Sequence, residues 1–393
     1  MPFLHEKESG LVDQALDIIA EEVGIDRDEL CDDAEFEDFG VDAILARIIT
    51  DRLANTTGVD VGPATLQYGA SVSSFKQRIT EVAHGQNLRP QKQKRQAPVS
   101  IPTIKKLNLA STIIEKPSQP LAIRLQGNPN ARQKVFLLPD GSGSGMAYVQ
   151  TPNLGPDVCL YGLNSPLLHR PTPFSGTIED LAQVFASEIR KVQPYGPYIL
   201  GGWSAGGYHA FEVTKQLIRE GQTVEKLILI DSPCRLVFEA LPMEVVDYLA
   251  TNNLMGNWGS KKTPEWLVKH FDDTIGAVGK YVPTPMNFPA AQMPKVFIIW
   301  ASDVVLAKGQ AQHTGLDLRK KVTRFLLEDR PHFGPHGWDE LFPGRDVAIA
   351  KMPGHHFEVI HPPSVASLGG LLRDSLQGHH WQRKNNWEVY SSR

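Results

Sequence analysis

The chain has 393 residues, of which 41% are hydrophobic and 21% charged, and a formal net charge of −4. This is the balance of a globular protein with a sizeable core, and the length points to two or three domains. The mild negative charge argues against a dedicated nucleic-acid binder. No run of 18 apolar residues occurs, so no membrane-spanning segment is expected. Cys31, Cys159 and Cys234 are scattered without C-x-x-C spacing, so neither a disulfide framework nor a metal site is expected, and a cytoplasmic location fits. The charged start Met1-Pro-Phe-Leu-His-Glu-Lys-Glu8 lacks an apolar core and does not read as a signal peptide.

Residues 1–83 read as a small helical bundle. Leu11, Ala15, Ile18, Ile19 and Val23 recur at helical spacing. A second helix is expected from near Asp42, carrying Ile44, Leu45, Ile48, Ile49 and Leu53. A last one carries Val72, Phe75, Ile79 and Val82. Residues 84–118, with Arg89-Pro-Gln-Lys-Gln-Lys-Arg95 and several prolines, read as a flexible basic tether.

Residues 119–378 read as α/β. Apolar strands are expected at Leu121–Leu125, Val135–Leu138, Asp157–Gly162, Tyr198–Trp203, Lys226–Asp231, Lys295–Trp300 and Val347–Met352. Helical patterns fall at Ile178–Val192, Ala205–Glu220 and Ser364–Leu376. That alternation implies a mostly parallel sheet covered on both faces. The stretch 235–293 interrupts it, with helical patterns at Met243–Asn252 and Pro264–Gly279, and reads as an inserted lid. Its apolar residues (Phe238, Leu241, Val245, Val246, Leu249, Leu254, Trp258, Trp266) are expected in the core, some lining an acyl chamber. The polar tail 379–393 is expected to fray.

The stretch Tyr198-Ile-Leu-Gly-Gly-Trp-Ser-Ala-Gly-Gly207 carries the chemistry. A strand enters Gly202-x-Ser204-x-Gly206 and a helix leaves it, which is the context of a nucleophile elbow. Alone the pattern is weak; its partners strengthen it. Asp231 ends the next strand, at the carboxyl edge of the sheet beside the elbow. His356, in Gly354-His355-His356-Phe357, follows the last strand. The order Ser, Asp, His is that of α/β-hydrolases, with His356 as base and Asp231 fixing its tautomer. Asp303 is a rival acid and His355 a rival base; His332, His336 and His361 read as structural. The Ala205 N–H is one expected oxyanion donor. The second is assigned to Gly141, with Asp140 as its rival, in Pro139-Asp-Gly-Ser-Gly-Ser-Gly145. That loop lacks the Lys-Ser/Thr of a phosphate-binding P-loop.

Two resemblances follow from these motifs. Asp38-Phe-Gly-Val-Asp-Ala-Ile-Leu45 resembles the start of the second helix in acyl and peptidyl carrier proteins, whose pattern is D-x-G-x-D-S-L/I. In that family the serine carries 4′-phosphopantetheine. Ala43 stands here at the serine position, so the group is expected only if position 43 is serine, and this chain is not expected to hold a thioester. The Ala43 change reads as either introduced or natural. Leu138-Pro-Asp-Gly-Ser-Gly-Ser-Gly145, Gly201-Gly-Trp-Ser-Ala-Gly-Gly207, Leu229-Ile-Asp-Ser-Pro233, Phe333-Gly-Pro-His-Gly-Trp-Asp339 and Gly354-His-His-Phe357 resemble the terminal thioesterases of non-reducing fungal polyketide synthases.

The second resemblance favours Asp231 over Asp303. It implies release of a carrier-bound, aromatic polyketide through an acyl-serine, by hydrolysis or by Claisen or lactone cyclisation. It implies no cofactor for the thioesterase. It implies other synthase domains as partners; no nucleic acid, membrane or metal is expected, on the charge, apolar-run and cysteine-spacing grounds above. The alternatives are a carrier-inactive docking or editing partner of a separate synthase, and a free-standing esterase.

Overall fold

The computed structural model describes residues 2–23, 27–39, 41, 43–66, 70–86, 120–168, 173–252, 254–255, 265–384 and 386–391. These fall into two compact units, one helical and one built on a sheet.

The helical unit contains α1 (Pro2–Val23), α2 (Ala43–Thr57) and α3 (Val72–Gln86). Each turns one apolar stripe inward, as its spacing predicts. Ala15, Ile19, Val23, Ile49, Leu53, Val72, Phe75 and Ile79 are all buried. Phe36, from the short turn before α2, meets Phe75 edge-on at 5.8 Å. Arg52 on α2 pairs with one carboxylate oxygen of the buried Glu22 of α1 at 2.6 Å, which offsets part of the cost of burying that charge. The side chains of Ile44, Leu45 and Ile48, and residues 87–119, which take in most of the 84–118 tether, lie outside the described residues.

The sheet unit has eight strands: β1 (Ala122–Gln126), β2 (Gln133–Leu138), β3 (Val158–Leu163), β4 (Tyr198–Trp203), β5 (Val224–Ile230), β6 (Lys295–Ala301), β7 (Asp346–Met352) and β8 (Glu388–Ser391). Their order is β1-β3-β2-β4-β5-β6-β7-β8. The six central strands run parallel, and the two edge strands are antiparallel to their neighbours. β3 and β4 are buried at every residue, the pattern of strands covered on both faces. Strand order reverses between β2 and β4, and such a switch point opens a crevice at the carboxyl edge.

Helices α4 (Ile178–Val192), α5 (Ala205–Arg219), α8 (Lys321–Leu327) and α9 (Val365–Leu376) join the strands. α4 begins with a reciprocal capping box between Thr177 and Asp180. Between β5 and β6 the chain makes α6 (Met243–Thr251) and α7 (Glu265–Lys280). Phe238, Val245, Val246 and Leu249 of this insertion are buried. Trp258 and the Trp266 side chain lie outside the described residues. Just after α7, Tyr281 and Thr284 grip α5. The Tyr281 hydroxyl donates to Glu212 at 2.8 Å, and Lys215 donates to Glu212 at 3.0 Å and to the Thr284 hydroxyl at 2.9 Å.

The C-terminal stretch differs from the frayed tail expected. Glu388–Ser391 pairs with β7, and Trp381 and Trp387 are buried against Phe297 at ring distances of 5.0 and 5.2 Å. Two indoles packed on Phe297 of β6 bury enough apolar surface to order a polar segment.

Candidate active site

β4 runs straight into Ser204, and α5 starts at the next residue. Ser204 has φ 55° and ψ −123°, a backbone state that costs about 1–3 kcal/mol outside glycine. The flanking glycines make the turn possible. A Cβ on Gly202 would lie 2.3 Å from the backbone of Gly206, and one on Gly206 would lie 2.4 Å from the Leu138 carbonyl. The second contact packs the start of α5 against the end of β2. The Ala205 N–H lies in the first turn of α5, where N–H groups have no intrahelical carbonyl.

Ser204 and His356 share a hydrogen bond, with Oγ 3.0 Å from Nε2. His356 Nδ1 lies 2.8 Å from Asp231 Oδ2. An Nδ1–H donating to the carboxylate leaves Nε2 as acceptor for the serine hydroxyl. His356 is thus the histidine brought to both partners. His355 turns to Glu358, at 3.3 Å. Asp303 accepts from the Gly354 N–H at 2.7 Å, bracing the loop that carries the histidine rather than touching the imidazole. His332 and His336 bond one another through the His332 carbonyl, at 3.2 Å.

Asp231 directly follows β5, has φ 40° and is fully buried. Burial pushes its carboxyl up, but the Arg330 charge and hydrogen bonds from His356 and Arg330 more than offset this and hold it well below the usual carboxylate range. The Ala301 N–H also donates to Oδ1, at 3.0 Å.

The loop after β2 is held by side chains from outside it and from within it. The Tyr148 hydroxyl donates to the Leu138 carbonyl at 2.7 Å and accepts from the Trp203 N–H at 2.9 Å, bridging β2 and β4 where their ladder ends. His209 of α5 lies 3.1 Å from the Pro139 carbonyl through Nδ1, and His270 of α7 lies 2.8 Å from the Gly141 carbonyl. Burial pushes His209 down to about 4, so the ring is neutral and its Nδ1–H donates. The Asp140 carboxylate accepts from the Ser142 hydroxyl at 2.7 Å and the Ser142 N–H at 3.1 Å. Burial pushes this carboxyl up, and the Ser142 bonds oppose the shift. The Asp140 carbonyl accepts from the Gly143 N–H at 3.1 Å, so across the planar peptide the Gly141 N–H points the other way.

The glycines of this loop serve close approach. A Cβ on Gly141 would lie 2.6 Å from the Phe271 ring, and one on Gly143 would lie 2.4 Å from the His270 ring. α7 therefore rests directly on the loop.

Arg330, Tyr148, His209 and His270 were not singled out from the sequence. Arg330 lies three residues before the Phe333–Asp339 motif, and His209 one turn along α5 from the elbow; those placements were the available signals. Among the described residues no cluster of His, Cys, Asp or Glu could hold a metal, and no helix is long and apolar enough to cross a membrane.

A parallel sheet with a serine at a strained strand–helix turn, bonded to a histidine that is in turn bonded to an aspartate, both just past later strands, defines a serine hydrolase of the α/β class. Comparison with known proteins narrows this. Residues 133–243 match the thioesterase domain family, and residues 13–79 match the phosphopantetheine attachment site family. The chain is 33% identical to a non-reducing polyketide synthase of Preussia isomera, over 94% of this chain and 18% of that protein. It is 34% identical to a conidial pigment polyketide synthase of Aspergillus fumigatus, over 91% and 17%. The chain thus spans less than a fifth of the length of these relatives. Among solved structures, the surfactin thioesterase domain matches at 19% identity with a TM-score of 0.45, over 66% of this chain and 98% of that one. The protein joins a carrier-type domain to a thioesterase domain, and its relatives along nearly its whole length are non-reducing fungal polyketide synthases.

Carriers of this type hold phosphopantetheine on a serine hydroxyl. α2 begins here at Ala43, which has no hydroxyl to form the phosphodiester. If position 43 is the attachment position, as the carrier pattern implies, its residue offers the group no oxygen.

Proposed function

We propose that this chain releases a polyketide from a carrier thioester through an acyl-Ser204 intermediate. The observation that carries the reading is the unbroken hydrogen-bond chain from Ser204 Oγ through His356 to Asp231. Ser204 attacks the thioester carbonyl as His356 Nε2 takes its proton. The N–H groups of Ala205 and Gly141 hold the oxyanion. The C–S bond breaks, and His356 returns the proton to the departing thiolate. Asp231 keeps the imidazole in the required tautomer.

The acyl-serine is then resolved by water, by a substrate hydroxyl, or by a carbon nucleophile of the chain itself. These give an acid, a lactone or a Claisen-cyclised ring, and all regenerate the Ser204 hydroxyl through the same histidine. We read 119–378 as the catalytic domain, 235–293 as its lid, 1–83 as the carrier-like domain, 84–118 as a tether and 379–393 as a tail. Ala43 supports a narrower version: the acyl group arrives from a carrier other than this one. A cytoplasmic location fits the three free cysteines.

The test is incubation with an aryl polyketide thioester of a small pantetheine-like thiol, read by intact-mass spectrometry. An acyl adduct, or thiol release, above a Ser204→Ala control is expected. Neither appearing would overturn the reading.

A further inference from the structure

The bonded chain does not stop at the aspartate. Arg330, in the loop after α8, meets the same carboxylate from its other side. Nη1 lies 2.8 Å from Oδ1 and Nη2 lies 3.2 Å from Oδ2. Nη1 also donates to the Ala301 carbonyl at 3.1 Å, and Nε to the Phe325 carbonyl at 3.2 Å. The guanidinium lies 3.7 Å over the Phe325 ring, and Phe325 in turn meets His356 edge-on at 6.2 Å. The arginine side chain is only 7% exposed. An isolated structural ion pair needs none of this convergence on the residue behind a catalytic-type histidine.

We propose that Arg330 is a positioning residue for acyl transfer: its fork turns Asp231 Oδ2 toward His356, and its charge limits how strongly that aspartate favours the protonated imidazole. The inference rests on the triad reading of Ser204, His356 and Asp231. A buried carboxylate alone stabilises an adjacent imidazolium strongly. A second cation behind the carboxylate opposes that attraction. Among the described residues, Asp140 and His355 also interact electrostatically with His356, and Glu358 and Asp303 with His355. They are unchanged by substitution at position 330.

Fork and charge separate in two variants. Arg330→Lys keeps the charge and loses the bidentate contact; Arg330→Gln keeps a donor and loses the charge. The readout is the rate at which a small fluorophosphonate labels Ser204 in the full chain, followed by intact mass across about pH 5–9, where imidazole titrates. Thermal unfolding of each variant checks that it folds. For Arg330→Gln the acid limb of the rate profile moves up by about one pH unit. For Arg330→Lys the limb stays near wild type while the plateau rate falls about tenfold, the cost of a misaimed general base.

Lowered plateaus with an unmoved limb in both variants would make Arg330 a merely structural residue and overturn the proposal. So would two wild-type profiles. Should Arg330→Gln not fold, a wild-type plateau in Arg330→Lys overturns it alone. No labelling of the wild type, or equal labelling of Ser204→Ala, defeats the triad reading instead.

Discussion

Ser204 and Ala43 occupy matching places in two different units: each stands where a helix begins. At Ser204 the backbone is strained, two glycines permit the turn, and a histidine, an aspartate and an arginine follow behind the hydroxyl. At Ala43 a helix also begins and the flanking sequence resembles the carrier pattern, but the side chain has no oxygen. The helical core is complete without it, since Ile49, Leu53, Phe75 and Ile79 pack fully. Fold and reactivity are therefore separable here: one hydroxyl and its partners make the difference, while the surrounding architecture survives either way.

The sharpest way to break this contrast is to remove the partners on the reactive side. His356→Ala should lower Ser204 acylation by about 10³-fold or more, while His355→Ala stays within a few-fold. Thioester turnover checks both, and the reverse result would move the base by one position. Asp231→Asn should cost about 10³–10⁴-fold and also lower the unfolding midpoint, because it leaves Arg330 buried without its counter-charge. Asp303→Asn should have a small effect, since it braces only the Gly354 loop.

On the other side, Leu53→Ala should destabilise the helical unit by about 2–5 kcal/mol, measured by denaturant unfolding, with Ser204 labelling unchanged. A change in labelling would show that the two regions are not separable.

Acid tests the loop. Above about 6.5 His209 is neutral in both folded and unfolded states. As pH falls from there toward about 4 the unfolded chain takes up the proton first, so stability falls by up to about 3 kcal/mol. His209→Gln, which keeps a donor for the Pro139 carbonyl, should flatten that slope in denaturant titrations. Ala43→Ser should change stability by less than about 0.5 kcal/mol and leave turnover alone. Given coenzyme A and a phosphopantetheinyl transferase, it should gain one phosphopantetheine by intact mass. No gain would show that the motif around position 43 lacks more than its oxygen.

The central strands, the elbow and its two partners were legible because each depends on local pattern: an apolar run, two glycines about a serine, an acid or histidine just past a strand. β8 was not. Glu388-Val-Tyr-Ser391 is short and polar, and its order comes from pairing with β7 and from Trp381 and Trp387 on Phe297. Arg330 escaped for the same reason. It sits on no strand end, and only the folded sheet brings it to Asp231, 99 residues earlier in the chain. His270 likewise has no signal in α7 itself, because its partner is a carbonyl of the loop after β2.

The glycines at 141 and 143 have a wider consequence. With no side chains between them and α7, no slack separates the covering helix from this strip of backbone. Any guest bulky enough to push α7 outward must also loosen the grip of His270 on Gly141. If the Gly141 N–H holds the oxyanion as proposed, guest size and electrophile activation are then one variable rather than two.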